Sequence, residues 1–389
     1  MQASNPQPLN ITNDSSASNL CCCEYLSHNQ ERSHILGTWC NCREFDQCCE
    51  NLLCCRVSDQ QVSQVMVMIA DKFRIPWRGG ARKMSIDTLL PIVIIPAMLY
   101  LAAQGVSYSI GVFITFPLTL CYLHIYLVQY IPDTKFFLVW VATTFVVLYF
   151  MFEWSIVYVL LIDTGENIVF MSLLLGSVVC FVGVQVLAKI NHVKSYSVLP
   201  SSSTESIVNL SDDSVNSLTT SFNIRESICT SCCKQIPPRA YHCNICQVCV
   251  LKRDLHCVWL DCCIGEKNHQ IYVLGLVLLA ACSSYASNLI LTTVCSPVTV
   301  FWTIQMPQDC SEVYVDTMFA QFFVLAIYLL IIFVFLMALI IHEVYMISLG
   351  MTGHEWRLSS NRHYFCFRPT SVYSRGFWKN WQLFFKINS

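Results

Sequence analysis

Cys229 to Cys263 is where residue types and spacing could do chemistry. These thirty-five residues hold nine of the chain's twenty-four cysteines and two histidines. By spacing they read C-x-x-C, nine residues, H-C-x-x-C-x-x-C, four residues, D-L-H-C, five residues, C. Zinc takes four tetrahedral sulfur or imidazole ligands. Eight candidates in ordered spacing suffice for two ions: Cys229, Cys232, His242, Cys243, Cys246, Cys249, His256 and Cys263. A single C-x-x-C says little, whereas this full pattern says much. A short loop with little apolar core gains folding energy from a bound metal, so the eight are read as architecture.

Closed structural sites use up their thiolates, which leaves Cys233, Cys257 and Cys262 as extras. Cys257 follows Asp254 and His256 and sits between ligands. A cytosolic thiol presented rigidly near a membrane suits acyl transfer, because a thiolate is a strong nucleophile. On spacing alone Cys257 is either that nucleophile or a ninth, redundant ligand.

The elements that must hold this module are membrane spans. The chain has 389 residues, 55% hydrophobic and 12% charged, with mean hydropathy +0.51; an ordinary soluble domain is about 25% charged. Six apolar runs are long enough to span a bilayer, about 87–103, 106–129, 136–157, 167–188, 270–294 and 317–342. The expected fold is an all-α polytopic membrane protein with a small two-zinc module between spans four and five. Met1 to Leu20 is polar, without the apolar stretch of a signal peptide. The net charge of −2 and scattered cations exclude nucleic acid as a partner.

Charge orients the spans. Lys72, Arg74, Arg78, Arg82 and Lys83 precede the first, and Lys135 separates the second from the third. Eight Lys and Arg from Lys189 to Lys267 lie between the fourth and fifth, and six from Arg357 to Lys386 follow the sixth. The other three connections carry none; their charges are acidic, at Asp163, Glu166, Asp309, Glu312 and Asp316. The positive-inside rule then puts both termini and the module in the cytosol. Thiols stay reduced there, which favours metal binding or thiol chemistry over disulfides. Golgi, endoplasmic reticulum and plasma membrane all fit. Glu153, near the far end of the third span, is read as reaching the interface and is given no role.

The expected divisions are an N-terminal region 1–86, spans 87–188, a Ser/Thr/Asn-rich linker 189–224, the module 225–269, spans 270–342 and a tail 343–389. Cys21, Cys22, Cys23, Cys40, Cys42, Cys48, Cys49, Cys54 and Cys55 cluster in the first. Adjacent cysteines near a membrane suit S-acylation, which is favoured over zinc because the doublets do not match ligand spacing. Asn10-Ile11-Thr12 is read as a chance glycosylation match in a cytosolic tail. Val57 to Ile75 has the spacing of an amphipathic helix, on the membrane surface or against the module.

The module resembles the cysteine-rich domain of the DHHC-type protein S-acyltransferases, or palmitoyltransferases. The matching residues are Cys229, Cys232, Pro238, Arg239, His242, Cys243, Cys246, Cys249, Asp254, His256, Cys257, Trp259, Cys263, Gly265 and Asn268. Thr352-Gly353-His354-Glu355 resembles the family's Thr-Thr-x-Glu motif, with Gly for the second Thr. Tyr373, Gly376, Asn380 and Trp381 resemble its aromatic C-terminal motif. The resemblance implies one zinc on Cys229, Cys232, His242 and Cys249 and a second on Cys243, Cys246, His256 and Cys263. It implies that Cys257 takes the acyl group from palmitoyl-CoA and passes it to a cysteine of a cytosol-facing, membrane-adjacent substrate protein. It makes Asp254 the residue that orients the general base, with Arg239, Lys252 and Lys267 as candidates for the CoA phosphates.

One residue departs. The family signature is Asp-His-His-Cys, and this chain has Asp254-Leu255-His256-Cys257. The position of the general base holds Leu255, which accepts no proton. A positioned base contributes typically about 10²–10⁴-fold. A thiol of pKa ~8.5 is already a few per cent thiolate at neutral pH. Asp254 is a poor substitute, with an ordinary pKa of ~3.9; His269 and Tyr241 are the other candidates to reach the site. Two function classes follow: an active or slow S-acyltransferase, and a folded but impaired relative acting as a membrane adaptor. A channel or transporter is disfavoured, because the spans hold few ionisable groups.

Overall fold

The computed structural model describes residues 24–26, 32–34, 74–75, 82–83, 86–130, 134–193, 227–301, 304–360 and 373–386. The N-terminal cysteines, residues 194–224 of the expected 189–224 linker and most of the expected 57–75 helix lie outside them. Of the expected helix only Arg74–Ile75 is described, and those two residues form a strand.

The chain forms two compact units, residues 1–91 with 129–131, and residues 92–128 with 132–389. The described part of the first includes two short antiparallel hairpins, β1 (Glu24–Leu26) with β2 (Arg32–His34) and β3 (Arg74–Ile75) with β4 (Arg82–Lys83).

The second unit is built on helices. In chain order the apolar runs form α1 (Ile86–Ala102), α2 (Val106–Tyr130), α3 (Phe136–Met151), α4 (Thr164–Ala188), α5 (His269–Val294) and α6 (Thr317–Leu349). Helix α3 runs on through a π-helical turn, Phe152–Ile156, into Val157–Val159. Among the described residues, five stretches are long and apolar enough to cross a membrane: Val106–Ile125, Phe136–Val159, Thr164–Asn191, His269–Val294 and Thr317–Leu349. The apolar part of α1, Thr88–Ala102, is shorter. The chain is thus a multi-pass membrane protein. Side chains such as Leu118, Val146, Leu175 and Val334 stay uncovered on the outer faces, as a bilayer solvent permits, because lipid is as apolar as leucine. Phe137, Phe152, Phe170, Phe322 and Leu325 fill the interior.

Two of the acidic residues between spans are helix caps. Asp163 accepts from the Gly165 N–H at 2.9 Å and Asp316 from the Met318 N–H at 2.8 Å, each satisfying a donor that a helix start leaves open. Glu153, on the π turn, faces Asn167 at 3.4 Å. Between α5 and α6 the chain makes a hairpin, β11 (Ser296–Phe301) with β12 (Ile304–Asp309). A Cys295–Cys310 disulfide closes it, which cysteine counting did not anticipate.

Helix α6 has 33 residues, about 50 Å at 1.5 Å per residue, against a hydrocarbon core of about 30 Å. The helix is therefore longer than the core, and Gly350 ends it in the left-handed conformation (φ 68°). A Cβ there would lie 3.0 Å from the Asn380 carboxamide, so glycine is required on both counts. Asn380 belongs to α8 (Phe377–Phe385), held against α6 by Asn380 Nδ2 donating to the Ser348 carbonyl at 2.9 Å and Trp381 Nε1 to Ser348 Oγ at 3.2 Å.

One buried carboxamide joins the module to the helices. Asn268, fully buried before α5, donates through Nδ2 to the carbonyls of Val184 (3.1 Å) and Cys263 (3.0 Å). Its Oδ1 accepts from Asn191 Nδ2 and the Gly265 N–H, both at 2.8 Å. Replacing it by leucine orphans several of these groups, at about 1–3 kcal/mol each. Asn268→Leu is therefore expected to lower the stability of the detergent-solubilised protein by at least 2–3 kcal/mol, roughly. An unchanged thermal unfolding midpoint would contradict that role for the hub.

Candidate metal centres and thiol site

The module is three two-stranded hairpins: β5 (Ser227–Cys229) with β6 (Lys234–Ile236), β7 (Tyr241–Cys243) with β8 (Val248–Val250), and β9 (Leu255–Cys257) with β10 (Cys262–Ile264). Such short strands have little to bury, so side-chain clusters hold them. Each histidine pairs across its hairpin with a cysteine, His242 with Cys249 and His256 with Cys263. The turns supply the rest, because C-x-x-C returns two sulfurs to one point.

Two clusters result: Cys229, Cys232, His242 and Cys249, and Cys243, Cys246, His256 and Cys263. Within each, the candidate ligand atoms all lie within 4.8 Å of one another. His242 Nδ1 is 3.2 Å from Cys232 Sγ and 3.8 Å from Cys249 Sγ. His256 Nδ1 is 3.3, 3.7 and 3.9 Å from the sulfurs of Cys246, Cys263 and Cys243. Metal–ligand bonds of about 2.3 Å to sulfur and about 2.0 Å to nitrogen, set tetrahedrally, place such atoms roughly 3.5–3.8 Å apart. The donor sets fit zinc in number, type and spacing. Hydrogen bonds from Cys246 and Cys263 hold the Cys243 thiol below its ordinary pKa, and the same contacts push the Cys263 thiol up.

The three extra cysteines stand outside both clusters. Cys233 is exposed on a turn. Cys262 is buried directly opposite Cys257, and burial pushes its thiol up to about 12. Cys257 is buried too. Burial pushes its thiol up to about 11, against hydrogen bonds from the Leu260 and Trp259 backbone and the Tyr272 side chain.

Two residues past Cys257, Trp259 reaches into the bundle. Its ring lies 4.8 Å from Phe137, 5.8 Å from Phe335 and 6.5 Å from His124, on three helices. The thiol therefore sits where the polar module meets the apolar helices. Leu255, half-buried opposite Ile264, packs among the same apolar side chains.

Asp254 is buried, which raises its carboxyl above the ordinary range. Its Oδ1 accepts from the Gly353 N–H at 2.5 Å, while Oδ2 has no partner. Close by, His269 Nε2 pairs with Glu343 Oε2 at 2.9 Å, linking α5 to α6. Tyr241 instead packs on His354, with ring centroids 4.2 Å apart. Sequence reasoning missed Glu343 and Tyr272. Glu343 lies one residue beyond the expected span, and Tyr272 reads as an ordinary core aromatic.

Thr352-Gly353-His354-Glu355 opens α7 (Gly353–Ser360) as a capping box. The Thr352 N–H donates to Glu355 Oε2 at 2.9 Å, and the Glu355 N–H to Thr352 Oγ1 at 3.3 Å. Glu355 also takes both Nε and Nη2 of Arg239 at 2.7 Å. Arg239 Nη2 further meets the Gly350 carbonyl at 3.1 Å, and the guanidinium lies 4.5 Å over the Tyr373 ring. Of the other two expected phosphate contacts, Lys252 is half-buried and Lys267 exposed.

The family model for DHHC palmitoyltransferase matches residues 222–360, the stretch that holds both clusters, Cys257 and the capping box. The chain carries a DHHC palmitoyltransferase domain over this stretch. It is a protein S-acyltransferase. Similarity extends beyond the matched stretch. Palmitoyltransferase ZDHHC23 of Rattus norvegicus is 27% identical over 94% of this chain and 92% of its own length. Palmitoyltransferase ZDHHC23-A of Danio rerio is 29% identical over 95% and 93%. Palmitoyltransferase ZDHHC7 of Mus musculus is 39% identical over 22% of this chain and 26% of its own length.

Metal analysis of the purified protein by mass spectrometry is expected to find two zinc ions per chain, falling to one in Cys249→Ala. Three ions would implicate the N-terminal cysteines, and none would refute both clusters.

Proposed function

We propose that this enzyme is a protein-cysteine S-palmitoyltransferase that works through an acyl-enzyme on Cys257. The carrying observation is that Cys257 stands outside both cysteine–histidine clusters, at the seam between the module and the apolar helices. Its sulfur attacks the thioester carbonyl of a long-chain acyl-CoA. The carbon–sulfur bond to CoA breaks, and the proton lost by Cys257 ends on the CoA sulfur. A substrate cysteine near the membrane then attacks the new thioester, takes the acyl group and returns its proton to Cys257.

The eight ligands hold two structural zinc ions, Cys229, Cys232, His242 and Cys249 one, Cys243, Cys246, His256 and Cys263 the other. Zinc here supplies folding energy. Lys252 and Lys267 are the cations read as meeting the CoA phosphates. Arg239 shares that expectation, but its two nitrogens on Glu355 would first have to let go. Asp254 is read as the orienting acid that kept its place when the base was lost; its unpartnered Oδ2 supports this.

A second reading rests on Leu255, whose side chain packs among apolar residues beside the thiol. On it, the chain is a catalytically impaired relative that serves as a membrane adaptor.

The termini and the module are read as cytosolic. Charge asymmetry supports this, and so does the Cys295–Cys310 disulfide, because disulfides persist on the oxidising side. In sealed vesicles with the cytosolic face outward, a membrane-impermeant thiol reagent added after reduction should spare both cysteines. Their labelling would invert the topology.

Incubation with labelled palmitoyl-CoA should put hydroxylamine-sensitive label on Cys257, and Leu255→His should speed labelling by roughly 10–10³-fold. Label on wild-type Cys257 supports the enzyme. Its absence, with label appearing in Leu255→His, would establish the adaptor reading.

A further inference from the structure

A third group of metal-ligating atoms stands where the module meets the helices. Asp254 immediately precedes β9, His269 is the first residue of α5, and Glu343 lies near the end of α6. One ligand atom from each lies within 4.8 Å of the other two. The set is two carboxylates and one imidazole, and it shares no residue with either cysteine–histidine cluster. Asp254 is only 1% exposed and Glu343 2%.

Contacts among the described residues leave this group incomplete. His269 Nε2 meets Glu343 Oε2 at 2.9 Å, and His342 Nδ1 is 3.8 Å from Glu343 Oε1. Asp254 Oδ1 accepts from the Gly353 N–H, while Oδ2 is buried without a partner. Arg357 reaches only the main-chain carbonyl of Asp254, at 3.4 Å. An ion pair between His269 and Glu343 accounts for one carboxylate and leaves the other. Protonating Asp254 removes its charge but leaves a buried hydroxyl in the same unpartnered place, which is also costly. A cation meets the need of both carboxylates at once, as buried charges are either paired or bound to metal.

The geometry points to a third metal site, in which Asp254, His269 and Glu343 hold one divalent cation of the Mn²⁺ or Mg²⁺ class. Neighbouring ligands of an octahedral cation, each about 2.1 Å from it, stand roughly 3.0 Å apart, which matches His269 and Glu343. Tetrahedral zinc spreads such ligands to roughly 3.4 Å. Carboxylates suit Mn²⁺ and Mg²⁺, and imidazole suits transition metals, so Mn²⁺ fits the whole set. The Gly353 N–H is then the outer contact that orients a ligating carboxylate. Water completes the octahedron, as it does around most such cations. The cation ties the module to α5 and α6 at one point, and the assignment does not depend on the acyl-enzyme.

The test uses the full chain, purified with its zinc and passed into metal-free buffer. Mn²⁺ is titrated in, and the free ion is followed by electron paramagnetic resonance. One Mn²⁺ per chain is expected to bind, displaceable by Mg²⁺, with the zinc content unchanged. Glu343→Gln and His269→Gln should each weaken binding by at least ~10-fold, no less than the loss of an outer contact costs. Bound Mn²⁺ in the wild type should also show the nitrogen coupling of a ligated imidazole, a readout that needs no variant. Wild-type binding weaker than about 1 mM, or bound Mn²⁺ without that coupling, overturns the inference. So does binding that displaces zinc, or binding of equal strength in wild type and both variants.

Discussion

The Asn268 carboxamide is the contact on which the rest of the site depends. A cysteine-rich module has little apolar surface, so packing alone cannot fix it to a helix bundle. Asn268 does so with directional bonds, using both protons and both lone pairs of its side chain. Its partners come from the end of α4, from the residues after it, and from the β9–β10 hairpin. In a buried place, a carboxamide with every group satisfied specifies one arrangement. Gly265 enforces the same close approach by shape: a Cβ there would lie 2.6 Å from the Leu251 carbonyl oxygen.

A second clamp acts at the same end of the bundle, from the residues that follow α6. The capping box at Thr352 and Glu355 completes a helix start, and the same glutamate grips Arg239 in the module. A fork-to-fork pair of this kind fixes direction as well as distance. Asp254 adds a third bond through the Gly353 N–H. Metal ligation shapes each hairpin, and these contacts aim the hairpins. The product is a thiol with little freedom, set beside an indole that is itself wedged among three helices.

Much of this was legible in the sequence, because some of its signals are local. Metal-ligand spacing is local, and the two clusters assemble from the residues that it singled out. Apolar runs are local too, and helices lie where they were expected, within a few residues at most ends. What escaped depends on contacts between distant segments. Cys295 and Cys310 were passed over because cysteine usage was judged from the module, where thiols are reduced. Arg239 read as a free cation because Glu355, 116 residues away, gives no sign of being its partner. Asp163 and Asp316 were read for their charge, and their work as caps shows only once the helix starts are known.

Leu255 bears differently on fold and on chemistry. In the fold it is harmless: a half-buried leucine opposite Ile264 adds apolar contact to a strand that has little. For the chemistry it removes the one group the family's signature places between acid and thiol. The acid was not removed with it. Asp254 remains buried with Oδ2 unpartnered, and an unsatisfied buried carboxylate oxygen is costly. Such a group persists where something else holds it, and Oδ1 on the Gly353 N–H does so. Asp254 is thus part of the clamp between the module and α7 whether or not it orients a base. That explains how the base can be lost without the fold. It also means that an intact scaffold is no measure of turnover, because the residues that build the site and the residue that would drive its proton transfer are physically separable.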